Sequence, residues 1–270
     1  MKHLQSAVAA LFVAPLLVAP VHAQIAAPND AGVAFGHVHL HVADVDLHGR
    51  LLTELFDAKL RERAGFTAAE LPGALIFLTP EEPTAPSRAT VMDHFALEVR
   101  DLGTVLEAWQ TLGYESDARG ASEGGAPSAF ITLPDGTRLE LLENPDLDVT
   151  ARMDHLHFIA PESDKLVARY ADLFGTTSAE RLADGSVTSV PGSGLIFTPS
   201  EEARVPTEGT VIDHVGFEVE SMETFAEELR AKGVEFVFGP THIESLDIWV
   251  AFFTDPSGVL VEVTEGLDNY

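Results

Sequence analysis

Four segments of the sequence place a histidine at the start of a predicted strand. These segments begin at Gly36-His37, Asp93-His94, Asp154-His155 and Asp213-His214. Because a strand points every second residue to the same side, His39 and His157 share a face with the histidine before them. Imidazole acts as an acid, a base or a metal ligand near neutral pH. One such histidine alone is most simply a core or surface residue, but four at equivalent positions favour a shared chemical role.

Two glutamates lie near the end of a predicted strand. Glu140 and Glu262 each follow a turn glycine, Gly136 and Gly258, by four residues. In a flat sheet such a glutamate would alternate outward into solvent. In a sheet that curls into a cup, the same alternation would point it at the histidines. The periodicity of the sequence does not decide between these two faces.

The chain repeats itself at two scales. Val91-Met92-Asp93-His94 recurs 120 residues later as Val211-Ile212-Asp213-His214, and two further markers recur at offsets of 119 and 122. The strand openings divide each half again, which predicts four modules of about 50 residues, a length typical of a repeated supersecondary unit. Each module is predicted as a strand, a helix and two or three further strands. The predicted helices cover residues 45–57, 102–112, 163–174 and 222–232, and in the last module strands are predicted at 214–219, 234–238, 249–253 and 259–264. The fold class is therefore α+β, built from βαβββ units.

The amino-terminal segment is typical of a secretory signal. A basic start at Lys2, an apolar stretch and a small-residue end at Ala23 predict a cleaved signal peptide over residues 1–23 and export, most simply to the periplasm. Residues 24–35 are predicted as a flexible leader. Two domains follow, 36–146 (modules 36–90 and 91–146) and 154–266 (modules 154–210 and 211–266), with a linker at 147–153.

Composition excludes several classes of function. The net charge is −27 and the chain has no cysteine. A strongly acidic surface repels nucleic acid and anionic lipid, and without cysteine there are neither disulfides nor thiolate metal sites. Beyond the signal no apolar run is long enough to cross a bilayer. The expected partner is a small molecule, and the chain is expected to be a monomer or a homodimer.

These motifs resemble the vicinal oxygen chelate superfamily of glyoxalases, fosfomycin-resistance proteins and extradiol dioxygenases. The likeness lies in the Asp-His strand openings, the Asp255-Pro256-Ser257-Gly258 turn and the glutamate four residues after its glycine. It implies that pairs of modules form cup-shaped mixed sheets with helices outside, and that each cup binds a divalent ion such as Fe, Mn or Zn through two histidines and one glutamate. Carried over position by position, the ligands are His37, His94, Glu140, His155, His214 and Glu262.

The pairing of modules stays open at this stage. If neighbours in sequence pair, the sites are His37, His94 and Glu140, and His155, His214 and Glu262. If modules are exchanged, His155 joins His94 and Glu140, while His37 joins His214 and Glu262. The six ligands are the same in both arrangements.

The resemblance also bears on activity. Glyoxalase I takes a further glutamate from the strand that closes an odd-numbered module, but residues 75–78 and 195–198 contain no carboxylate, which argues against that activity. Extradiol dioxygenases add a further histidine beside the substrate, for which His242 is a candidate. His39 and His157 are candidate acid or base groups or alternative metal ligands. The expected function is a metal-dependent enzyme, dioxygenase-like or an isomerase or lyase, acting on a small oxygen-rich or phenolic substrate. The alternative is an exported binding protein of the bleomycin-resistance type, which sequesters a small molecule without turnover.

Overall fold

The computed structural model describes residues 25–121, 125–267 and 270. The predicted signal peptide lies outside the described residues. Four βαβββ modules follow one another, as the repeats predict. The first module contains β1 Val33–Val42, α1 Val45–Phe56, β2 Lys59–Arg63, β3 Phe66–Leu71 and β4 Ala74–Pro80; the second contains β5 Met92–Val99, α2 Leu102–Thr111, β6 Ala118–Ala121, β7 Pro127–Thr132 and β8 Arg138–Glu143. The third contains β9 Ala151–Ala160, α3 Ser163–Phe174, β10 Glu180–Arg181, β11 Ser186–Val190 and β12 Ser193–Pro199; the fourth contains β13 Ile212–Val219, α4 Met222–Ala231, β14 Phe238–Ile243, β15 Ile248–Thr254 and β16 Leu260–Glu265.

The modules pair in the exchanged arrangement. One eight-stranded sheet has the order β14-β15-β16-β13-β1-β4-β3-β2, and the other has the order β10-β11-β12-β9-β5-β8-β7-β6. The first and fourth modules therefore share one sheet, joined by antiparallel β1 and β13, and the second and third share the other, joined by antiparallel β5 and β9. The contiguous pairing, with domains at 36–146 and 154–266, is not the one that the strands form. We call the two sheets the outer-module sheet and the inner-module sheet.

Strand alternation separates a core face from a histidine face. On β13, Val215, Phe217 and Val219 are buried in a hydrophobic core that draws on both sheets and all four helices. The residues between them, such as His214 and Gly216, face the concave side. The helices lie outside the sheets and cover the core face. Packing on one face and polar chemistry on the other is the arrangement that the cup hypothesis requires.

Local sequence explains the helix boundaries. The side chains of Asp44, Asp101 and Ser221 accept hydrogen bonds from backbone N–H groups in the first turn of α1, α2 and α4. Gly175 ends α3 in the left-handed conformation, which glycine adopts without strain. The four predicted helices are confirmed to within one residue at each end. No helix among the described residues is long and apolar enough to cross a membrane.

Some predicted boundaries are wrong. The strand predicted at 234–238 begins only at Phe238 and runs to Ile243. The predicted leader is partly packed, since Ile25 is buried, Asn29 donates a hydrogen bond to the Phe174 carbonyl and β1 begins at Val33. The predicted linker at 147–153 overlaps β9.

Two candidate metal centres on the concave faces

The outer-module sheet brings His37, His214 and Glu262 together. Their strands β1, β13 and β16 are neighbours, and the register sets Gly216 beside both His37 and Glu262. The Nε2 atoms of His37 and His214 each lie 2.9 Å from the same carboxylate oxygen, Oε2 of Glu262. All three side chains are buried. We call this group the first centre.

Asp213 orients the ring of His214. Its carboxylate lies 2.6 Å from Nδ1 of His214, so Nδ1 carries a proton and donates a hydrogen bond to Asp213. In a neutral ring the Nε2 lone pair would then face the Glu262 carboxylate, which is repulsive unless a proton or a cation lies between them. Although burial opposes a charged ring, the hydrogen bonds to Asp213 and Glu262 raise the pKa of His214 to about 9. Burial likewise opposes ionisation of Glu262, yet the bonds from His214 and His37 lower the pKa of that carboxyl. The centre therefore favours positive charge between the rings and the carboxylate, which is where a divalent ion would bind.

The inner-module sheet repeats the arrangement with His94, His155 and Glu140. Nε2 of His94 lies 3.4 Å and Nε2 of His155 lies 3.5 Å from Oε2 of Glu140. Neither nitrogen makes a hydrogen bond with a described residue. Each ring is again held by the preceding aspartate, Asp93 or Asp154, at 2.7 Å from Nδ1. Two buried imidazole nitrogens that face one carboxylate without a hydrogen-bond partner among the described residues suit a divalent metal ion. We call this group the second centre.

The comparisons with known proteins agree with this geometry. A sequence profile described as the Glyoxalase/Bleomycin resistance protein/Dioxygenase superfamily matches residues 114–263. The chain belongs to this superfamily. Superfamily members act on small molecules and bind divalent metals, and the His and Glu groups of this chain suit such an ion. No curated protein matches the sequence.

Solved structures with the same fold align with most of the chain. Glyoxalase I from Zea mays aligns with a TM-score of 0.69 and 18% identity over 87% of this chain and 93% of that protein. A candidate dioxygenase from Bacillus subtilis subsp. subtilis str. 168 aligns with a TM-score of 0.67 and 12% identity over 90% of this chain and 86% of that protein. At these identities the likeness establishes the fold and leaves the activity open.

The two centres differ in the charges behind their aspartates. Asp93, behind His94 of the second centre, pairs with the guanidinium groups of Arg138 and Arg204. Although burial opposes ionisation, the hydrogen bond to His94 and the nearby charges lower the pKa of Asp93. Asp213, behind His214, instead accepts a hydrogen bond from the Gly209 backbone N–H. Two histidines and one glutamate thus lie close together in each sheet, in two electrostatic settings.

His39 and His157 lie beside the centres as predicted from alternation. Nε2 of His39 lies 2.7 Å from the Thr79 hydroxyl, and Nε2 of His157 lies 2.9 Å from the Thr198 hydroxyl. Both offer a nitrogen within 4.8 Å of the other donor atoms of their groups. Burial lowers the pKa of both rings, to about 3 for His157, so they are neutral near pH 7. A neutral ring at this position suits a further ligand or a hydrogen-bonding partner for substrate; which of these it is stays a prediction.

His242 is not brought to either centre. It pairs across β14 and β15 with Trp249, whereas Ile243 and Ile248 pair on the face that lines the first centre. Its ring lies 3.1 Å from the Asp247 carboxylate and packs against Trp249. The predicted role beside the substrate has no support in this geometry, because alternation along β14 turns His242 to the opposite face from Ile243.

An apolar pocket opens above the first centre. A cavity of about 250 Å³ has His37, His214 and Glu262 at its floor. Apart from His39 and Thr264, the rest of its lining is apolar or aromatic: Phe66, Phe77, Phe238, Ile243, Leu246, Ile248, Val250, Phe252, Leu267 and Tyr270. The cavity of about 450 Å³ beside the second centre is more polar and contains the carboxylates of Glu98, Glu143, Asp154 and Asp184.

Tyr270 is a pocket residue that the sequence analysis missed. Its hydroxyl donates a hydrogen bond to the Phe66 carbonyl, and its ring packs edge-on against Phe77. The hydroxyl is therefore committed to the backbone of β3, and the ring forms a wall of the pocket. No repeat or alternation marks this residue, because it lies after the last strand of the last module.

Proposed function

We propose that the chain is a divalent-metal-dependent enzyme whose active centre is the first centre. The observation that carries this proposal is the convergence of two histidine Nε2 atoms, each at 2.9 Å, on one buried Glu262 oxygen at the floor of an apolar pocket. Two imidazoles and one carboxylate suit Fe(II), Mn(II) or Zn(II) and leave coordination positions free. A bound ion would make a substrate oxygen more acidic or hold two vicinal oxygens while charge develops on them.

The pocket indicates a substrate with a small apolar or aromatic body and a few oxygens at one end. Among the described residues that line it, Glu262 is the only charged group besides titratable histidine. The aromatic walls would bind the apolar body and exclude water, while His39 is placed to exchange a proton or a hydrogen bond with substrate. A phenolic or diol-like molecule fits this division, which supports a dioxygenase-like, isomerase or lyase reaction.

The same lining argues against a glyoxalase I reaction on a charged glutathione adduct. β4 contributes Leu75 and Phe77 to the surroundings of His37, and no carboxylate of that strand joins the centre. No lysine or arginine among the described residues lines the cavity to pair with a carboxylated tail. A substrate without net charge in its body is the better match.

Elemental analysis with stoichiometry tests the proposal. Protein expressed with added Fe(II), Mn(II) or Zn(II) should retain one or two ions per chain. The loaded protein should consume oxygen, or convert substrate without it, when offered catechols and related phenols. Protein without metal that still binds such a ligand tightly would overturn the proposal and favour a binding protein of the bleomycin-resistance type.

Asp213→Asn tests the orientation of His214. The amide keeps the size of the side chain but weakens the charge-assisted bond to Nδ1. Since partners behind metal ligands commonly contribute 10–100-fold to affinity, we expect the metal affinity of the first centre to fall by about that factor. Isothermal titration in a Glu140→Gln background would measure it. Unchanged affinity would show that Asp213 does not orient the ligand.

We also propose export of the chain, with cleavage after Ala23. Amino-terminal sequencing of protein collected from the periplasm should begin at Gln24. Recovery of the intact chain from the cytosol only would contradict this.

A further inference from the structure

We propose that Gly216 is a positioning residue for the metal site, because it leaves the space in which the His37 ring lies. The inference rests on the proposed metal function of the first centre. Gly216 faces His37 across the β1–β13 pair. A β-carbon at Gly216 would lie 2.0 Å from Cε1, 2.2 Å from Nδ1 and 2.6 Å from Nε2 of His37. Any side chain at residue 216 would therefore occupy the place of the imidazole.

The His37 ring is contacted on several sides, which limits how far it can shift without leaving the centre. His37 is 1% exposed. Its ring packs edge-on against Phe77 at 5.1 Å and against His214 at 5.5 Å, and its Nε2 contacts Glu262. Close-packed interiors accommodate such an overlap only by displacing a side chain. Displacement of this ring would move Nε2 away from the centre.

His37 depends on packing because it lacks the hydrogen bond that holds the other ligand rings. His94, His155 and His214 each follow an aspartate that binds Nδ1, whereas His37 follows Gly36. Nδ1 of His37 is buried and has no hydrogen-bond partner among the described residues. A β-carbon at Gly36 would lie 3.1 Å from Leu267 and 3.3 Å from the Gly216 carbonyl oxygen, so this position is crowded for an aspartate. Packing therefore takes the place of the Nδ1 hydrogen bond in fixing the orientation of this ring.

In the second centre the equivalent histidine has an Nδ1 hydrogen bond, and the residue facing it has a β-carbon. His155, the counterpart of His37, is held by Asp154 and faces Ala96 at the position equivalent to Gly216. This register position therefore tolerates a β-carbon where an aspartate hydrogen-bonded to Nδ1 fixes the orientation of the histidine ring. Gly216 also lies in an extended strand without a positive φ, so its backbone does not require glycine. The remaining explanation for glycine at this position is the His37 ring itself.

The test is Co(II) titration of Gly216→Ala in full-length protein carrying Glu140→Gln, which leaves the first centre to report. We expect affinity to fall at least about 10-fold, by analogy with the loss of supporting residues at metal sites, and the Co(II) absorption bands to change because one nitrogen ligand is lost. Added to His37→Ala, the glycine substitution should cause no further loss, since the partner of the clash is absent. The matched control is Ala96→Gly in a Glu262→Gln background, which should leave Co(II) affinity of the second centre unchanged.

Three results would overturn the proposal. The first is unchanged Co(II) affinity in Gly216→Ala. The second is an equal loss with and without His37, which would show that Gly216 acts by another route. If the alanine variant lowers the melting temperature, His37→Ala must restore it, and failure to do so is the third. A Glu140→Gln reference protein that itself binds no Co(II) would remove the proposed function together with this inference.

Discussion

Glu262→Ala is expected to abolish metal binding at the first centre and activity with it, while the protein stays folded. Glu262 supplies the one oxygen on which both imidazoles converge. Removal of a ligand should exceed the 10–100-fold loss caused by residues behind ligands, so affinity should fall by more than about 100-fold. His214→Ala should have the same effect for the same reason. Metal content after gel filtration and the rate with the best phenolic substrate measure both consequences.

Matched variants make this result specific. Glu140→Ala should remove only the ion of the second centre, and His242→Ala should leave metal content unchanged because that side chain faces away from the pocket. Glu262→Gln keeps the side-chain volume and checks that lost metal is not lost folding. If Glu262→Ala unfolds the protein while Glu262→Gln retains its metal, the ligand assignment is wrong.

The sequence predicts the positions of the candidate ligands on their strands better than it predicts how they are grouped. Alternation along each opening strand and the offset of about 120 residues place equivalent residues at equivalent positions, and the structure sets them on concave sheet faces. The grouping depends on which opening strands pair. The opening strands of all four modules expose similar backbone N–H and C=O groups along one edge. By hydrogen bonding alone, β1 can therefore pair with either β5 or β13. Only the packing of the complete chain selects β13 for β1 and β9 for β5.

The misplaced role of His242 has a simple origin. The apolar run after α4 predicts a strand at 234–238, whereas β14 begins at Phe238 and continues through Thr241 to Ile243. His242 therefore lies within a strand, where a single step along the chain reverses the face. Ile243, not His242, points into the cavity beside the first centre. A site residue on an edge strand cannot be assigned from sequence unless the strand boundary is known to the residue.

The most severe loss of stability is expected from Phe217→Ala, which lies between concave-face residues on β13. Phe217 is fully buried, stacks on Phe174 at 4.4 Å and packs edge-on against Phe35. Truncating a buried phenylalanine removes its transfer free energy and leaves a cavity, so the free energy of unfolding should fall by about 3–5 kcal/mol. Urea unfolding of metal-free protein measures this. Because the core spans both sheets, we expect the entire unfolding curve to shift to lower urea concentration as one cooperative transition.

Phe252→Ala is the matched control, since this ring lies on the concave face and packs edge-on against His214. Phe252 is only partly buried, so the same truncation should cost clearly less stability and instead alter binding of an apolar ligand. Phe217→Ala should keep its metal stoichiometry wherever it remains folded. Two residues on opposite faces of β13 would then affect different measurements: substitution of His214 would change metal content, and substitution of Phe217 would change the free energy of unfolding. A Phe217→Ala protein that loses metal at unchanged stability would show that the two faces of the strand do not divide core from chemistry.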